Sequence, residues 1–570
     1  MIFSADFETT TDPNDCRVWA VGLFEIFSKD NFIYSNNIDY LFEFLNKQKE
    51  KTVLYFHNIK FDGEFIIDYL LRNGYCHVED KKGMTINEFT TLISDMGAFY
   101  SMTIKMKNGN TVEIIDSLKI LPFSVAEIAE AFNLPIKKGS IDYNKYREVG
   151  HVLTDNEIDY LKNDVEIVAR ALETIFSQNL PKMTQGSNAL HDFKNIIGSK
   201  RFSKWFPQIR YDHEIRQSYK GGFTYLNPLY TNKEVEEGYV LDVNSLYPSV
   251  MYYKPLPYGE GVHFEGKYKD DKLYNLYVQS FTCTFEVKEN HIPTIQIKKS
   301  IFKDNEYLTS SCGNEVTLTL TSVDLELFLK HYDVYNIVWH GGWKFKSTTN
   351  IFKEYIDKWI KVKIESTENG NKSMRTLAKL MLNALYGKFA LNPKVTNKYP
   401  YLCPLENRVK YKKSKTRERD SLYIPIGTFI TAWARNITIS TSQAIKEYSL
   451  KKYGKDMYIY SDTDSIHTLL PIEECKQFMD IHPTKLGAWD NEATFKRAKF
   501  IRQKTYVEEI YNKDKTETEL KITCCGMPQS CYKEVTFDNF KIGATYGGKL
   551  TPKHVKGGIV LDETEFTIRA

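Results

Sequence analysis

EGYVLDVNSLYPSVM (237–251) and DMYIYSDTDSIHTLL (456–470) are the two stretches of this 570-residue sequence that decide its fold. The first predicts an apolar strand that delivers Asp242 and breaks at the proline that follows. The second places Asp462 and Asp464 between two strand-like runs, which is the pattern of a hairpin with paired acids at its tip. A turn held by side-chain hydrogen bonds would explain DTD if it stood alone. The prediction therefore depends on the two stretches taken together.

Between them, KSMRTLAKLMLNALYGKFA (372–390) predicts a helix with one polar, basic stripe. Arg375, Lys379, Asn383 and Tyr386 recur every three or four residues, and Gly387 suits a helix end, with a helix that continues beyond it as the alternative. An amphipathic core helix with a solvated lysine face is the alternative. A triphosphate needs cationic donors and its Mg²⁺ ions need carboxylates, so the helix and the acids together predict phosphoryl transfer.

The N-terminal third brings further acids to the ends of predicted elements. IFSADFETT (2–10) is a strand that places Asp6 and Glu8 on one face. VLYFHNIKFD (53–62) runs from a strand into a helix, with Asp62 at the junction. Adjacent carboxylates repel unless cations screen them, so a divalent metal is expected.

A third acidic segment, LTDNEIDYLKND (153–164), predicts a helix start. Thr154 and Glu157 have capping-box spacing, and Tyr160 and Asp164 share a helix face. Four acids from three elements could converge on two divalent ions that activate water for phosphodiester cleavage. Taken singly, each acid could be an ordinary cap or surface charge.

The chain is too long for a single domain. Its 42% hydrophobic, 26% charged and 14% aromatic residues form a folding composition. Lys and Arg number 76 against 73 acids, so the net charge of +3 does not by itself indicate nucleic acid. Basic residues cluster locally, at 410–419 and 495–504.

Nine cysteines with no CxxC pair, and with no histidine near Cys524, Cys525 or Cys531, predict neither a disulfide framework nor a zinc site. The sequence starts without the features of a signal peptide, and no run approaches about 18 apolar residues. We expect a soluble, unexported protein in a reducing compartment.

DVNSLYPS, KLMLNALYG and YSDTDS, in that order, resemble motifs A, B and C of family-B DNA polymerases. DFET, HNIKFD and YLKND resemble the three exonuclease motifs of the proofreading members. The resemblance implies an α/β and α+β multidomain protein. It consists of an RNase-H-like 3′→5′ exonuclease domain and a right-hand polymerase of palm, fingers and thumb, with two inserted subdomains.

At the polymerase site the resemblance implies Asp242, Asp462 and Asp464 as catalytic acids, with the Val243 carbonyl completing the metal coordination. Tyr247 corresponds to the steric gate that leaves no room for a ribose 2′-hydroxyl. The other implied nucleotide contacts are Lys363, Lys379, Asn383 and Tyr386. Each active site would use two Mg²⁺ ions, which Mn²⁺ can replace.

At the exonuclease site the resemblance implies metal binding by Asp6, Glu8, Asp62 and Asp164, water orientation by Tyr160 and assistance from Lys138. The residues implied to hold the frayed 3′ end are Thr9, His57, Asn58, Phe61, Phe65, Ser117 and Leu118. Segments resembling the YxGG, TAWAR and KTY motifs add DNA contacts at Tyr219, Gly221, Gly222, Thr431, Arg435, Lys504 and Tyr506.

The segments 254–350 and 392–424 resemble the two insertions of protein-primed polymerases of small tailed phages, most closely the phi-twenty-nine type. The domain ranges implied are 1–185 exonuclease, 186–253 palm, 254–350 first insertion, 351–391 fingers, 392–424 second insertion, 425–530 palm and 531–570 thumb. In that branch the first insertion contacts a terminal protein whose hydroxyl serves as primer, and the second helps enclose DNA, so processive strand displacement follows.

The implied partners are primer-template DNA, single-stranded DNA, deoxynucleoside triphosphates and the terminal protein. The protein would act in the cytoplasm of an infected bacterium as a monomer or as a heterodimer with terminal protein. Two other functions are weighed: a stand-alone nuclease that keeps a polymerase-like region for binding DNA, and a non-catalytic nucleic-acid-binding or structural phage protein. Intact Asp242, Asp462 and Asp464 argue against the first. Two unscreened acid clusters argue against the second.

Overall fold

Two ranges, 1–297 and 306–569, are described by the computed structural model. Residues 298–305, which belong to the predicted first insertion, and the C-terminal residue lie outside them. Among the helices of these ranges, none combines the length and the hydrophobicity needed to span a bilayer.

The N-terminal domain contains eight strands and four α-helices. The strands are β1 (Ile2–Thr9), β2 (Val18–Glu25), β3 (Phe32–Ser35), β4 (Thr52–Phe56), β5 (Cys76–His77), β6 (Glu88–Ile93), β7 (Phe99–Lys105) and β8 (Thr111–Asp116). The helices are α1 (Ile38–Lys47), α2 (Ile59–Arg72), α3 (Val125–Ala131) and α4 (Asp155–Ser177), with a 3₁₀ turn at Ser117–Lys119.

These strands form one mixed sheet in the order β3-β2-β1-β4-β8-β7-β6-β5. β1 pairs in parallel with β4, and β4 in parallel with β8. Helix α4 packs on β1 and β2, so most of β1 is buried on both faces. The capping box of α4 forms as predicted, because Thr154 and Glu157 each bond the other's backbone N–H.

The middle of the chain supplies a palm strand set, the first insertion and the fingers. Up to the insertion its elements are α5 (Gln185–Ile197), α6 (Ser199–Trp205), α7 (Asp212–Arg216), β9 (Thr224–Leu226), a 3₁₀ turn (Pro228–Tyr230), β10 (Lys233–Val235), β11 (Gly238–Val243) and α8 (Leu246–Tyr253). The elements that follow are β12 (Leu256–Phe264), β13 (Leu276–Val287), β14 (Val316–Thr321), α9 (Ser322–His331), β15 (Tyr332–Thr348), α10 (Lys353–Glu368), α11 (Lys372–Ala384) and α12 (Tyr386–Phe389).

The remaining elements form the second insertion, the rest of the palm and a C-terminal hairpin. They are β16 (Lys394–Val395), β17 (Lys398–Cys403), β18 (Arg408–Lys413), β19 (Arg417–Glu418), α13 (Ile424–Tyr453), β20 (Tyr458–Asp462), β21 (Ser465–Thr468), α14 (Ile472–Cys475), β22 (Trp489–Arg502), β23 (Thr505–Tyr511), β24 (Thr518–Cys524), a 3₁₀ turn (Gln529–Glu534), β25 (Thr545–Val555) and β26 (Gly558–Thr567).

The palm sheet runs β24-β23-β22-β11-β21-β20-β9, with β10 also paired to β22. β11 and the β20–β21 hairpin are neighbours in it, as an acid-bearing strand and hairpin of one site require. Helix α13 packs against β20 and β21. One apolar core joins α4, the helices around α11 and the palm, so the N-terminal domain and the polymerase region share an interior.

The inserted segments form sheets of their own. The first insertion is a four-stranded sheet in the order β12-β15-β13-β14 with α9 beside it. The second is a pair of two-stranded sheets, β16–β19 and β17–β18. Its β17 and β18 pack on α2 of the N-terminal domain. Helix α5 packs on α10, α11 and α12 rather than on the palm sheet.

Candidate active sites

Asp6, Glu8, Asp62 and Asp164 lie together in the N-terminal domain, delivered by β1, α2 and α4. Burial and the nearby charge of Asp164 raise the pKa of Asp6 to about 7. Burial and the charge of Asp6 raise the pKa of both Glu8 and Asp62 well above its ordinary value. The four carboxylates oppose one another's ionisation, so a cation that screens them would be bound favourably.

Lys138 and Tyr160 lie at the edge of this cluster. Lys138 Nζ donates to Asp164 Oδ2 at 2.8 Å and lies 5.6 Å from the centre of the Tyr160 ring. Burial and the charge of Asp164 raise the pKa of Tyr160, so its hydroxyl stays protonated and can donate a hydrogen bond to a water. The Tyr143 hydroxyl lies 2.6 Å from that of Tyr160. Tyr143 is the last residue of the KKGSIDY segment (137–143), and its closeness to Lys138 in the sequence was the available signal.

Of the residues predicted to hold a 3′ end, His57 lies near enough to Asp164 for the two charges to interact. His57 Nδ1 lies 2.9 Å from the Ser117 hydroxyl, and its Nε2 lies 2.7 Å from the Phe123 carbonyl. The rings of Phe61 and Phe65 lie 5.5 Å apart. Asn58 is exposed and its backbone N–H donates to Asp116 Oδ1 at 2.9 Å, while Thr9 and Leu118 are half-buried and Phe65 and Ser117 are buried.

Asp242 and Asp464 face each other on the palm sheet. Asp242 pairs in register with Ser465, next to Asp464, and the Val243 N–H donates to the Asp464 carbonyl at 2.8 Å. Burial and the charges of Asp464 and Glu492 raise the pKa of Asp242 to about 7. The strand and the hairpin predicted from separate stretches therefore meet in one site.

Asp462 is held differently from the other two acids. Lys504 Nζ donates to both of its carboxylate oxygens, at 2.9 and 2.8 Å, and Thr224 donates to one at 3.1 Å. Thr463, between the acids, has a left-handed backbone with φ 58°. Asp462 therefore joins the KTY segment to the hairpin, and its charge adds to burial in raising the pKa of Asp464.

Sequence reasoning missed two further acids at this site, Asp490 and Glu492 on β22. Asp490 pairs in register with Asp242, and Glu492 lies 3.6 Å from Lys521. Both raise the pKa of Asp242. Their spacing of two residues in WDNEATF (489–495) places them on one face of a strand, and that was the available signal.

Both acid clusters suit Mg²⁺. Asp164 Oδ1 is buried with no hydrogen-bond partner, which leaves a carboxylate oxygen available as a ligand. Within residues 1–297 and 306–569, no three His, Cys, Asp or Glu side chains form a complete metal site. That is compatible with Mg²⁺, because it is usually bound by one or two carboxylates and takes its other ligands from water and substrate phosphates.

The predicted nucleotide contacts lie on and beside α11. The rings of Tyr247 and Tyr386 stack with centroids 4.0 Å apart. Lys363, Arg375 and Lys379 lie close together: burial and the charge of Arg375 lower the pKa of both lysines. Such a cluster of cations binds a polyphosphate favourably. Asn383 is exposed on the same helix. Helix α11 ends at Ala384, and Gly387 lies inside α12, so helical structure continues beyond this glycine.

Gly222 explains part of the YKGG segment. A Cβ at Gly222 would lie 2.4 Å from the Thr463 hydroxyl, so only glycine lets this loop pass the acid hairpin. Tyr219 is half-buried and Gly221 is exposed. Tyr506 is 7% exposed and packs against the Tyr460 ring.

Thr431 and Arg435, which the resemblance implies as DNA contacts, are both buried and bonded within the protein. Thr431 is 1% exposed, and its hydroxyl donates to carbonyls within α13. Arg435 is 4% exposed and donates to Asp324 and to the carbonyls of Lys220 and Gly221. Its donors are used inside the protein, so it holds the YKGG loop and α9 of the first insertion together.

Comparison with known proteins agrees with this geometry. A family model described as "DNA polymerase type B, organellar and viral" matches residues 45–150 and 141–480. The DNA polymerase of Bacillus phage phi29 is 47% identical over 100% of this chain and 99% of its own, and that of Streptococcus phage Cp-1 is 32% identical over 100% and 98%. A structure of phi29 DNA polymerase with primer-template DNA and incoming nucleotide has a TM-score of 0.92 at 45% identity, covering 100% of both chains.

This full-length match defines the class of protein as a DNA-directed DNA polymerase, and it confirms the predicted fold of an exonuclease-type domain joined to a right-hand polymerase. The chain belongs to the type B DNA polymerases of organelles and viruses. Its relatives include the phage polymerases of the phi29 type, so the resemblance stated from the motifs is also confirmed.

Proposed function

We propose that this chain replicates phage DNA at the Asp242–Asp464 site and removes mismatched 3′ ends at the Asp6–Asp164 site. The observation that carries the proposal is the presence of two separate carboxylate clusters, each buried enough to raise the pKa of one aspartate to about 7. A relative solved with primer-template DNA and nucleotide supports the first activity. A relative solved with single-stranded DNA supports the second.

For synthesis, the residues divide between the primer end and the nucleotide. Asp242 and Asp464 would hold two Mg²⁺ ions, which supply activation of the primer hydroxyl and neutralisation of the departing pyrophosphate. Lys363 and Lys379 would bind the triphosphate, and Asn383 lies on the same helix. The stacked Tyr247 and Tyr386 rings would form the surface under the sugar.

The strand contacts at the polymerase site follow from loops and hairpin tips. Gly221 and Gly222 would let a phosphate approach the backbone, because they carry no side chain. Lys504 would lie beside the primer end, since it is half-exposed and bound to Asp462. The backbone carbonyl of Val243 would complete the metal ligands.

For proofreading, the carboxylates of Asp6, Glu8, Asp62 and Asp164 would hold the metal ions that activate a water and stabilise the leaving oxygen. The protonated Tyr160 hydroxyl would orient that water, and Lys138 would keep Asp164 in place. Phe61, which is half-buried, offers an aromatic face, with the buried Phe65 ring 5.5 Å from it, and Thr9, His57 and Asn58 offer polar groups. Such a groove holds an unstacked strand without reading its sequence.

We further propose protein priming and strand displacement. The first insertion would bind the terminal protein, and the second would help enclose DNA. Full-length similarity to phage polymerases of the phi29 type supports both roles, because this chain has a folded sheet at each insertion. The protein would then work in the cytoplasm of the infected bacterium.

A divalent-dependent incorporation assay tests the proposal against its rivals. Purified protein, a primed template and deoxynucleotides are incubated with Mg²⁺, with Mn²⁺ or with EDTA. We expect template-directed extension with either ion and none with EDTA. A stand-alone nuclease would degrade the primer without extending it, and a structural protein would do neither.

A further inference from the structure

Residues 132–154 join α3 to α4 without a helix or strand of their own. Two of their side chains nevertheless reach the predicted exonuclease site: Lys138 donates to the acid Asp164, and Tyr143 contacts Tyr160. Holding an irregular segment in one conformation costs backbone entropy at every residue. Some other contact must therefore fix this segment over the site.

Arg147 makes that contact. Its side chain is 3% exposed, and its Nε donates to Glu157 Oε1 at 3.0 Å. One terminal nitrogen donates to the carbonyls of Asp142 and Lys145, at 2.7 and 2.8 Å. The guanidinium carbon lies 4.2 Å from the centre of the Trp19 ring on β2. A single side chain thus joins the segment, the helix and the sheet.

Glu157 is the fixed end of this link. Besides Arg147, its carboxylate accepts from the Thr154 N–H at 3.0 Å and contacts His151 Nε2 at 2.7 Å. Burial would raise the pKa of Glu157, but these hydrogen bonds outweigh it and lower the pKa to about 2. The carboxylate therefore stays charged at any pH at which a polymerase works. Helix α4 carries Tyr160 and Asp164 about one and two turns further on.

We propose that Arg147 is a positioning residue for the exonuclease reaction, an inference that rests on the proposed proofreading activity. By binding Glu157 and the carbonyls of Asp142 and Lys145, it holds the irregular segment in register with α4. Lys138 and Tyr143 then stay against Asp164 and Tyr160. Arginine is needed because a planar fork serves a carboxylate, two carbonyls and an aromatic face at once, which an ammonium group cannot do.

Arg147→Lys tests the proposal, because it keeps a positive charge beside Glu157 and removes the fork. We expect the rate constant for degradation of single-stranded DNA to fall about 10- to 100-fold, since a displacement near 1 Å of a reacting group has such an effect. KM and the rate of primer extension should change little. If Arg147→Lys is poorly folded, Arg147→Gln with Glu157→Gln removes both charges together and should show the same selective loss.

Arg170→Lys is the matched control. Arg170 also lies on α4, binds Glu166 at 3.0 Å, donates to the Ser28 carbonyl at 2.7 Å and lies 5.0 Å from the Phe24 ring. None of these interactions of Arg170 reaches the segment at 138–147. Its variant should keep both activities.

A double-mutant comparison separates positioning from general stability. Lys138→Ala should lower the exonuclease rate strongly in the wild type and much less in the Arg147→Lys background, because Arg147 acts through Lys138. Equal exonuclease rates for Arg147→Lys and Arg170→Lys, fully additive losses with Lys138→Ala, or a parallel loss of primer extension would each overturn the proposal. A wild-type enzyme that extends primers but degrades no single strand would reject proofreading itself, and this role with it.

Discussion

Four non-glycine residues beside the two acid clusters have left-handed backbone angles. They are Asn58 (φ 70°), Ser245 (φ 55°), Thr463 (φ 58°) and Lys504 (φ 55°). Each costs roughly 1 to 3 kcal/mol, so the surrounding structure must compensate. Thr463 separates the hairpin acids and Lys504 binds one of them. The strained residues therefore lie where the backbone sets the orientation of functional side chains.

Asp6→Asn should stabilise the metal-free protein. Burial and Asp164 raise the pKa of Asp6 to about 7, so the folded state binds a proton that the unfolded state has already lost. The contribution of this group to stability therefore falls as pH rises from about 4 to 7. In EDTA at pH 8 we expect the variant to gain about 1 to 4 kcal/mol in the free energy of unfolding, measured with urea.

The same pair of proteins supplies the control. At pH 4 the gain should nearly vanish, because Asp6 is then protonated in the folded wild type. Added Mg²⁺ should raise the stability of the wild type more than that of the variant. An Asp6→Asn protein no more stable than the wild type at pH 8 would contradict the clustering of these carboxylates.

At this scale the sequence predicted the acids better than their partners. Asp6 lies within a recognisable strand, Asp242 near the end of another and Asp62 at a strand-to-helix junction, so their convergence could be anticipated. Tyr143 and Glu492 could not be placed, because an irregular segment and a neighbouring strand bring them in through long-range packing. Burial of Arg435 was equally invisible, since its partner Asp324 lies 111 residues away.

Among the elements, local signals predicted the short ones well. The capping box set the start of α4, and the two strand-like runs around DTD became β20 and β21. The sequence predicts no single element for the 30-residue α13, which contains TAWAR. Residues 424–432, the first nine of this helix, are all buried, so the sequence offers no amphipathic period there.

Arg435→Ala should destabilise the fold rather than weaken phosphate binding. The variant leaves the Asp324 carboxylate without its guanidinium partner and frees the Lys220 and Gly221 carbonyls. We expect a loss of about 3 kcal/mol in the free energy of unfolding, measured by denaturant titration.

DNA binding at several salt concentrations supplies the comparison for Arg435. Lys504→Ala, at an exposed cation, should lower the salt dependence of binding by about one phosphate contact while changing stability little. If Arg435→Ala instead has wild-type stability and lowers the salt dependence of DNA binding as Lys504→Ala does, a direct phosphate contact at Arg435 would be supported.

At the scale of the whole molecule, segments that are far apart in the sequence contact one another. The Tyr411 hydroxyl of β18 donates to Glu64 of α2 at 2.8 Å, and His554 Nε2 of β25 lies 3.0 Å from the same carboxylate. The Gly557 N–H donates to Asp68 at 3.2 Å. The C-terminal hairpin and the second insertion thus both meet the N-terminal domain. Nothing in local sequence could predict a junction between residues hundreds of positions apart.

Deletion of residues 392–424 should shorten products without stopping chemistry. The deleted segment carries Tyr411, which bonds Glu64 of the N-terminal domain, while Asp242 and Asp464 lie outside the segment. We expect single-nucleotide addition to persist and long products to disappear on a primed template with a DNA trap present. Glu64→Ala should act in the same direction more weakly. Products of unchanged length from the deletion variant would reject an enclosing role.

The most direct test of the two-site account compares Asp242→Ala and Asp6→Ala on one primed template with deoxynucleotides and Mg²⁺, alongside degradation of a single strand. The account predicts that Asp242→Ala loses synthesis and still degrades single strands, while Asp6→Ala synthesises and no longer degrades. Loss of both activities in either variant would contradict two independent sites.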